Sequence, residues 1–194
     1  MAKWTEVLLD TSHVHIVFTV PSELNPLWRY NKQTFGGLLF AGCTQSLLEL
    51  LGDDKYLGAR PGILAAQHTW GQKLEMHPHL HVLVTFGGLA TDGRWRLPKK
   101  NCLLPRAVLM HKFRGKFQAL LLKALDAGRL VVPPDCSKRQ VRNLVNKLGR
   151  KPWNVKILPR YAHGIGVLTY LARYLKGGPI GNERISAVRD GRVY

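Results

Sequence analysis

Three histidines alternate with other residues in the segment His77-Pro78-His79-Leu80-His81, the densest group of potential metal ligands in the sequence. Residues 79–88 are rich in β-branched and apolar residues and predict a strand, from one face of which His79 and His81 would project about 7 Å apart. Two imidazoles so placed can share one divalent cation, while Leu80 would point into the core. The spacing therefore predicts a metal site, and a surface-facing histidine pair that binds nothing is the alternative.

A third ligand would have to come from another element of the fold. Residues 62–70 predict a strand that forms a hairpin with the strand at 79–88, and His68 and Gln72 lie just before its turn. Either side chain could reach the histidine pair if the two strands pair. The register of the hairpin decides which of them does, and the sequence does not fix that register. His15, on the predicted strand 13–20, could line the same face, although a half-buried strand histidine is the commoner role.

Two tyrosines, Tyr170 and Tyr174, lie four residues apart in the segment 164–176, which predicts a helix. Side chains at this spacing are neighbours on a helix surface. A tyrosine hydroxyl, with a pKa of about 10, is a weak nucleophile near neutral pH and needs a polarised electrophile with positive charge nearby. A cation held by the histidine pair could polarise a phosphate, and Arg173 could stabilise its charge. The alternative is a pair of amphipathic tyrosines at the edge of the core.

The charge of the chain favours a nucleic-acid partner. Lys and Arg number 29 against 12 Asp and Glu, which gives a formal net charge of +17. Basic side chains neutralise phosphates, and aromatic rings stack on unpaired bases. A solvated basic surface without a ligand is the alternative. The residues expected to contact DNA fall in a basic loop and in a short basic helix with a nearby tryptophan: Arg94, Arg96, Lys99 and Lys100, then Lys138, Arg139, Arg142, Lys147 and Trp153.

The predicted elements follow the order β-α-β-β-α-α-β-α-β. In addition to the strands and the helix named above, the hydrophobic pattern predicts helices at 34–51, 105–127 and 136–149, a strand at 153–159, and a last strand with an Asp190-Gly191 turn. Ser137 is the expected N-cap of the third of these helices. This order predicts an α+β fold in which helices pack mainly on one face of an antiparallel sheet.

Composition narrows the remaining possibilities. The length of 194 residues suggests one domain, and a hydrophobic content of 45% argues against general disorder. We find neither a signal peptide nor an uninterrupted apolar run of about 18 residues, so we expect a cytoplasmic protein without a membrane partner. The three cysteines stand far apart without a CxxC pair, which excludes a cysteine-based zinc module within this chain. No protein partner is implied.

The segments 13–21, 68–84 and 170–178 together resemble the HUH endonucleases, and within them the two-tyrosine transposases of rolling-circle insertion sequences. The resemblance covers essentially the whole chain, and its most specific part is the HTWGQ run at 68–72 followed by HPHLH. It implies an HUH-like sheet related to ferredoxin and RNA-recognition folds. It also implies Mg²⁺- or Mn²⁺-dependent nicking and transfer of single-stranded DNA through a 5′-phosphotyrosine.

The resemblance also suggests roles for single residues. His79 and His81 resemble the metal-binding pair, and Tyr170 and Tyr174 resemble the paired nucleophiles. Related enzymes use Glu, Gln or His as the third ligand, so that position stays open. We expect residues 1–194 to form a single catalytic domain without the N-terminal zinc-binding region of such transposases and truncated at its C-terminus. A replication initiator or relaxase with the same chemistry, and a non-catalytic nucleic-acid-binding domain, are the alternatives.

Overall fold

A four-stranded antiparallel sheet is the centre of the fold in a computed structural model that describes residues 9–71, 73–162, 186–190 and 192–193. Its strands, in spatial order, are β2 (Ile63–Trp70), β3 (Met76–Thr85), β1 (His13–Thr19) and β6 (Val155–Tyr161). Two short hairpins lie outside the sheet, one of β4 (Gly88–Leu89) with β5 (Trp95–Arg96) and one of β7 (Val188–Arg189) with β8 (Arg192–Val193). The described helices are α1 (Asn25–Tyr30), α2 (Lys32–Gly52), α3 (Arg106–Asp126) and α4 (Lys138–Leu148), with a short 3-10 turn at Ser22–Leu24.

The two faces of the sheet differ because side chains alternate along each strand. On one face, Ile16 pairs with Val82 and Phe18 with Leu80, and all four are buried in the main core beneath α2 and α3. Phe18 meets Phe113 of α3 edge to face, with ring centroids 5.0 Å apart. The opposite face carries the strand histidines. The predicted α+β architecture, with helices mainly on one face of an antiparallel sheet, is thereby confirmed for the described residues.

Helix α2 is an element of the core. By length and composition it is long and apolar enough to cross a membrane. This finding qualifies the expectation that no apolar segment of the chain is long enough to span a bilayer. However, 56% of its most apolar stretch is buried inside the fold, where it packs along α3 and over the sheet. More than half of its apolar stretch is therefore covered by its own chain, as in the core helix of a globular domain.

Most of the predicted elements are present with small shifts at their ends. Strand β3 begins at Met76, three residues before its predicted start, so His77 is also on it. Ser137 caps α4 as expected, since it accepts a hydrogen bond from the Gln140 amide in a capping box. Helix α1 and the β4–β5 hairpin were not predicted, because both are short. The predicted helix at 164–176 lies outside the described residues.

Candidate metal centre and nucleic-acid interface

The register of the sheet brings three histidines together on the face opposite the helices. His68 on β2 lies directly opposite His79 on the neighbouring strand β3, and His81 follows two residues later on the same face. One ring nitrogen from each of His68, His79 and His81 falls within 4.8 Å of the other two, and all three side chains are buried. We call this set the histidine triad. It contains the predicted metal pair together with His68, one of the two predicted third ligands.

Hydrogen bonding leaves one nitrogen of His79 for an ion. The His79 Nδ1–H donates to the backbone carbonyl of His77 at 2.6 Å, which fixes the lone pair on Nε2. This Nε2 lies 3.1 Å from the Nε2 atom of His81. Two nitrogen ligands held about 2.1 Å from one ion lie roughly 3.0–3.4 Å apart. The residues present therefore fit a divalent cation on this face.

His15 extends the cluster beyond the triad. Strand β1 pairs with β3, and the His15 Nε2 atom lies 2.8 Å from the Nδ1 atom of His81. Because His15 contacts the nitrogen of His81 that faces away from His79, it stands behind the triad. The sequence had given His15 only the possibility of lining this face. The signal that could have identified it is the second HxH pair, whose alternation matches that of His79 and His81.

Burial keeps these histidines uncharged. It lowers the pKa of His15 and His68 to about 4 and that of His81 to about 3, and the neighbouring histidine charges lower those of His68 and His81 further. Burial also lowers the pKa of His79, although its hydrogen bond to the His77 carbonyl acts in the opposite direction. Metal ions bind the neutral imidazole. The triad is therefore in its metal-binding protonation state at neutral pH.

The triad forms part of the floor of an open cavity of about 590 Å³. Three charged side chains line this cavity: Lys73 and Glu75 from the β2–β3 turn, where Glu75 accepts a hydrogen bond from the Lys73 backbone amide, and Lys156 from β6. Lys156 shares the triad's face, because it pairs with Val17, which in turn pairs with His81. Trp70 also lines the cavity, and its ring stacks nearly parallel to the His68 ring, with an interplanar angle of 9° and ring centroids 5.7 Å apart. Sequence reasoning had not selected Lys73, Lys156 or Trp70.

Four predicted site residues lie outside the part of the chain that the structure describes. Gln72, the alternative third ligand, lies outside the described residues, as do Tyr170, Arg173 and Tyr174. Their roles remain the ones that the sequence suggests.

The first predicted DNA-binding group lies far from the triad. Strand β3 runs away from His79 for six residues, about 20 Å, before it leads into the β4–β5 hairpin. Arg96 of that hairpin forms ion pairs with Asp54 and Asp92, and the Lys99 ammonium donates to the backbone carbonyl of Asp54. These two side chains hold the hairpin against the end of α2. Arg94 and Lys100 are exposed.

The second predicted group lies closer to the cavity. Lys138, Arg139 and Lys147 are exposed on α4, whereas Arg142 forms an ion pair with Asp126 of α3. The C-terminal end of α4 borders a groove that shares Thr19, His77 and Asn154 with the triad cavity. Lys147 is in the last turn of α4, next to Leu148, which lines this groove.

The expectation that Trp153 stacks on bases is wrong for this structure. Its side chain is only 4% exposed, and its indole N–H donates to the Leu148 carbonyl at 3.0 Å. Its ring packs edge to face against Phe113 and Phe117 of α3. Trp153 fills the junction between α3, α4 and the start of β6. Burial removes its large apolar ring from water, which stabilises the fold.

Comparison with known proteins places the chain in a family. A family profile described as "Putative transposase" matches residues 62–194. "Putative transposase y4qJ" of Sinorhizobium fredii (strain NBRC 101917 / NGR234) is 37% identical over 201 residues, which cover 99% of this chain and 50% of that protein. "Transposase for insertion sequence element IS801" of Pseudomonas savastanoi pv. phaseolicola is 31% identical over 188 residues, which cover 95% of this chain and 44% of that protein. The chain thus spans about half the length of these curated relatives.

Among solved structures, this chain is similar to the conjugative relaxase TrwC in complex with oriT DNA. The metal-free complex has a TM-score of 0.44 and 12% identity, covering 72% of this chain and 66% of that chain. A metal-bound complex of the same relaxase has a TM-score of 0.40 and 13% identity, covering 72% of this chain and 65% of that chain.

The family profile includes β2 and β3 with all three members of the triad, His68, His79 and His81, and also the segment that carries Tyr170 and Tyr174. It extends over well more than half of the chain, and both curated relatives align with nearly all of it. The chain therefore belongs to the transposase family that this profile describes, as the resemblance of its histidine and tyrosine segments had predicted.

Proposed function

We propose that this chain provides the catalytic domain of a DNA transposase that nicks and joins single DNA strands by metal-dependent tyrosine chemistry. The observation that supports it best is the histidine triad, whose ligand nitrogens lie within 4.8 Å of one another on the floor of a cavity that two lysines line. Family membership supports the substrate class. The net charge of +17 supports a polyanionic partner.

His68, His79 and His81 are the proposed ligands of a divalent cation, Mg²⁺ or Mn²⁺. When bound, the cation would act as a Lewis acid on a non-bridging oxygen of the scissile phosphate. The His77 carbonyl orients one ligand by accepting the His79 Nδ1–H. Lys73 and Lys156 line the same cavity and are the proposed contacts for phosphates next to the scissile one.

In the proposed reaction the hydroxyl oxygen of Tyr170 or Tyr174 attacks the phosphorus atom. An O–P bond to the tyrosine forms, the P–O3′ bond breaks, and the proton lost by the tyrosine is taken up by the departing 3′ oxygen. The products are a 5′-phosphotyrosine and a free 3′-OH, so the number of phosphodiester bonds is conserved. Arg173 is proposed to stabilise the negative charge of the phosphate. A second hydroxyl at i+4 would allow a second attack while the first 5′ end is still held.

The test is adduct formation between the purified chain and 5′-labelled and internally labelled single-stranded DNA in the presence of Mn²⁺ or Mg²⁺. We expect a denaturing gel to show a covalent protein–DNA band that chelation prevents. The double substitution His79→Ala with His81→Ala should abolish that band and metal binding but leave single-strand affinity measurable. The matched control is His111→Ala, which removes an exposed histidine on α3. Normal adduct formation by the double variant would refute the proposed metal role.

The adduct also tests the nucleophiles. Mass spectrometry of the digested adduct should locate the phosphonucleotide on Tyr170 or Tyr174. Each single substitution to Phe should leave some cleavage, with Tyr170→Phe the more damaging because Arg173 follows Tyr170 at i+3, and the double substitution should leave none. A phosphonucleotide on any other residue would contradict the mechanism.

A further inference from the structure

We propose that His15 is a positioning residue that sets the tautomer of the metal ligand His81, and that the proton shared by the two rings changes sides when a cation binds. The inference rests on the proposed metal site and goes beyond it, because it assigns a function to a histidine outside the triad.

The geometry of the contact is that of a hydrogen bond between ring edges. The His15 Nε2 and His81 Nδ1 atoms are 2.8 Å apart, and the ring planes differ by 28°. The ring centroids are 5.0 Å apart, which is the nitrogen–nitrogen distance plus about one ring radius at each end. The two nitrogens therefore point at each other nearly along the line that joins the rings. Both side chains are buried, so one of the nitrogens must carry a proton and the other must accept it.

Without a cation, the hydrogen bonds assign each proton. The His77 carbonyl can only accept, so His79 carries its proton on Nδ1 and a lone pair on Nε2. The 3.1 Å contact between the Nε2 atoms of His79 and His81 is then a hydrogen bond only if His81 carries its proton on Nε2. The Nδ1 atom of a neutral His81 is consequently unprotonated, and His15 must donate its Nε2–H to it.

With a cation, the assignment of His81 and His15 reverses. The Nε2 lone pair of His81 now faces the ion, and the shared proton crosses from the His15 Nε2 atom to the His81 Nδ1 atom, which donates it back to His15. The proton displaced from the His81 Nε2 atom is released to solvent, and His15 takes up one proton at Nδ1. Each imidazole stays neutral in both states, and the pair gains or loses no proton overall. His15 is suited to this exchange because imidazole can both donate and accept at one position, whereas a carboxylate can only accept and a lysine can only donate.

The sheet register explains why His15 reaches His81 whereas His13, two residues earlier on the same strand, does not. His15 pairs with Leu83, so His81 is its diagonal neighbour on the same face, at a distance that ring side chains can span. His13 lies on that face too but pairs with Thr85, two residues further from the triad. His13 is as buried as His15, and it serves as a matched control for the loss of a buried strand histidine.

The test uses Zn²⁺ as a diamagnetic probe on the full chain, with affinity measured by competition with a chromogenic chelator. We expect His15→Leu to weaken Zn²⁺ binding by about 10- to 100-fold, as is usual when the partner of a ligating histidine is lost. His15→Gln, whose amide can donate or accept near the same point, should recover most of the affinity. His13→Leu should bind Zn²⁺ like the native chain. Equal affinities of native and His15→Leu proteins would overturn the proposal.

A spectroscopic measurement on the native chain does not depend on any variant folding. The ¹⁵N chemical shifts of the His15 ring should report protonated Nε2 without Zn²⁺ and protonated Nδ1 with it. A His15 tautomer that stays the same on Zn²⁺ binding would refute the exchange even if the triad binds the ion. Failure of the native chain to bind Zn²⁺ would instead refute the metal site itself, so the two proposals fail separately.

Discussion

At the residue scale, the triad stands out because its ligands carry no charge of their own. The His68, His79 and His81 imidazoles are neutral at physiological pH, since burial lowers the pKa of each. Neutral ligands would not reduce the charge of a bound divalent ion, so the ion would attract a phosphate group with its full charge of +2. Lys73 and Lys156 add two positive charges to the same cavity, against the one negative charge of Glu75. The arrangement is thus suited to an anionic substrate rather than a neutral one.

The buried histidines predict how the stability of the metal-free chain depends on pH. Burial lowers the pKa of His13, His15, His68, His79 and His81 from the ordinary value of about 6.5, and those of His15 and His68 reach about 4. Between pH 6.5 and 4 the unfolded chain therefore binds more protons than the folded chain. The free energy of unfolding should fall as the pH falls through this window.

Urea denaturation in the presence of a chelator, at half-unit steps from pH 8 to pH 4, measures this dependence. Each proton by which the two states differ contributes about 1.4 kcal/mol per pH unit. His15→Gln removes one of the titrating groups and should give a shallower fall than the native chain. A constant free energy of unfolding from pH 6.5 to pH 5 would contradict the prediction.

At the element scale, the close packing of α2 against α3 supports the sheet from behind. A side chain at Gly42 would place its Cβ 3.3 Å from the Cβ of Phe117, so the absence of a side chain permits the approach of the two helices. Phe117 also contacts Phe35 of α2, with ring centroids 5.2 Å apart. The same helix contains Gly37, which is exposed and has open space around its Cβ position.

The two glycines should respond to substitution in opposite directions. Gly37→Ala should stabilise the fold by up to about 1 kcal/mol, because glycine is a poor helix former and no contact opposes the added methyl group. Gly42→Val should destabilise it by about 1–3 kcal/mol, because the added atoms meet Phe117. Chemical denaturation at neutral pH measures both changes. Stabilisation by Gly42→Val would show that α2 and α3 are not as close as described.

At the scale of the whole molecule, positive charge is distributed unevenly with respect to the triad. Several cations are engaged by the few acidic residues: Arg96 by Asp54 and Asp92, Lys112 and Lys116 by Glu49, Arg142 by Asp126, and Lys151 by Glu23. Lys73 and Lys156 line the triad cavity, and Lys147 lies at the nearby end of α4. Arg94 and Lys100 lie at the other end of the sheet.

This distribution predicts which lysines affect the salt dependence of binding to a short single strand. Lys156→Gln should weaken binding and reduce the slope of log affinity against log salt by about 0.7, the value for one phosphate contact on a single strand. Lys116→Gln, at a residue already paired with Glu49, should leave the slope unchanged. Fluorescence anisotropy between 50 and 300 mM salt measures the slopes. Equal slopes for the native and Lys156→Gln proteins would exclude a phosphate contact at this position.

The sequence by itself determined much of the local organisation of this protein. Strand alternation put His79 and His81 on one face and Leu80 in the core, and the periodicity of apolar residues located α2, α3 and α4 to within a few residues. Ser137 and Gln140 marked the start of α4. These features depend on neighbours within a turn or a strand, which are adjacent in the sequence as well as in space.

Only the tertiary structure decided which distant residues meet. The β2–β3 register set His68 opposite His79, and the pairing of β1 with β3 brought His15 to His81. A shift of two residues in either pairing would keep these histidines on the same face but give them other partners, and the alternation along each strand does not exclude it. The sequence could not predict the burial of Trp153 or the ion pairs of Arg96 and Arg142 either, because these contacts involve elements that are far away in the sequence. Side-chain type is a local property, whereas register and burial result from the packing of the whole chain.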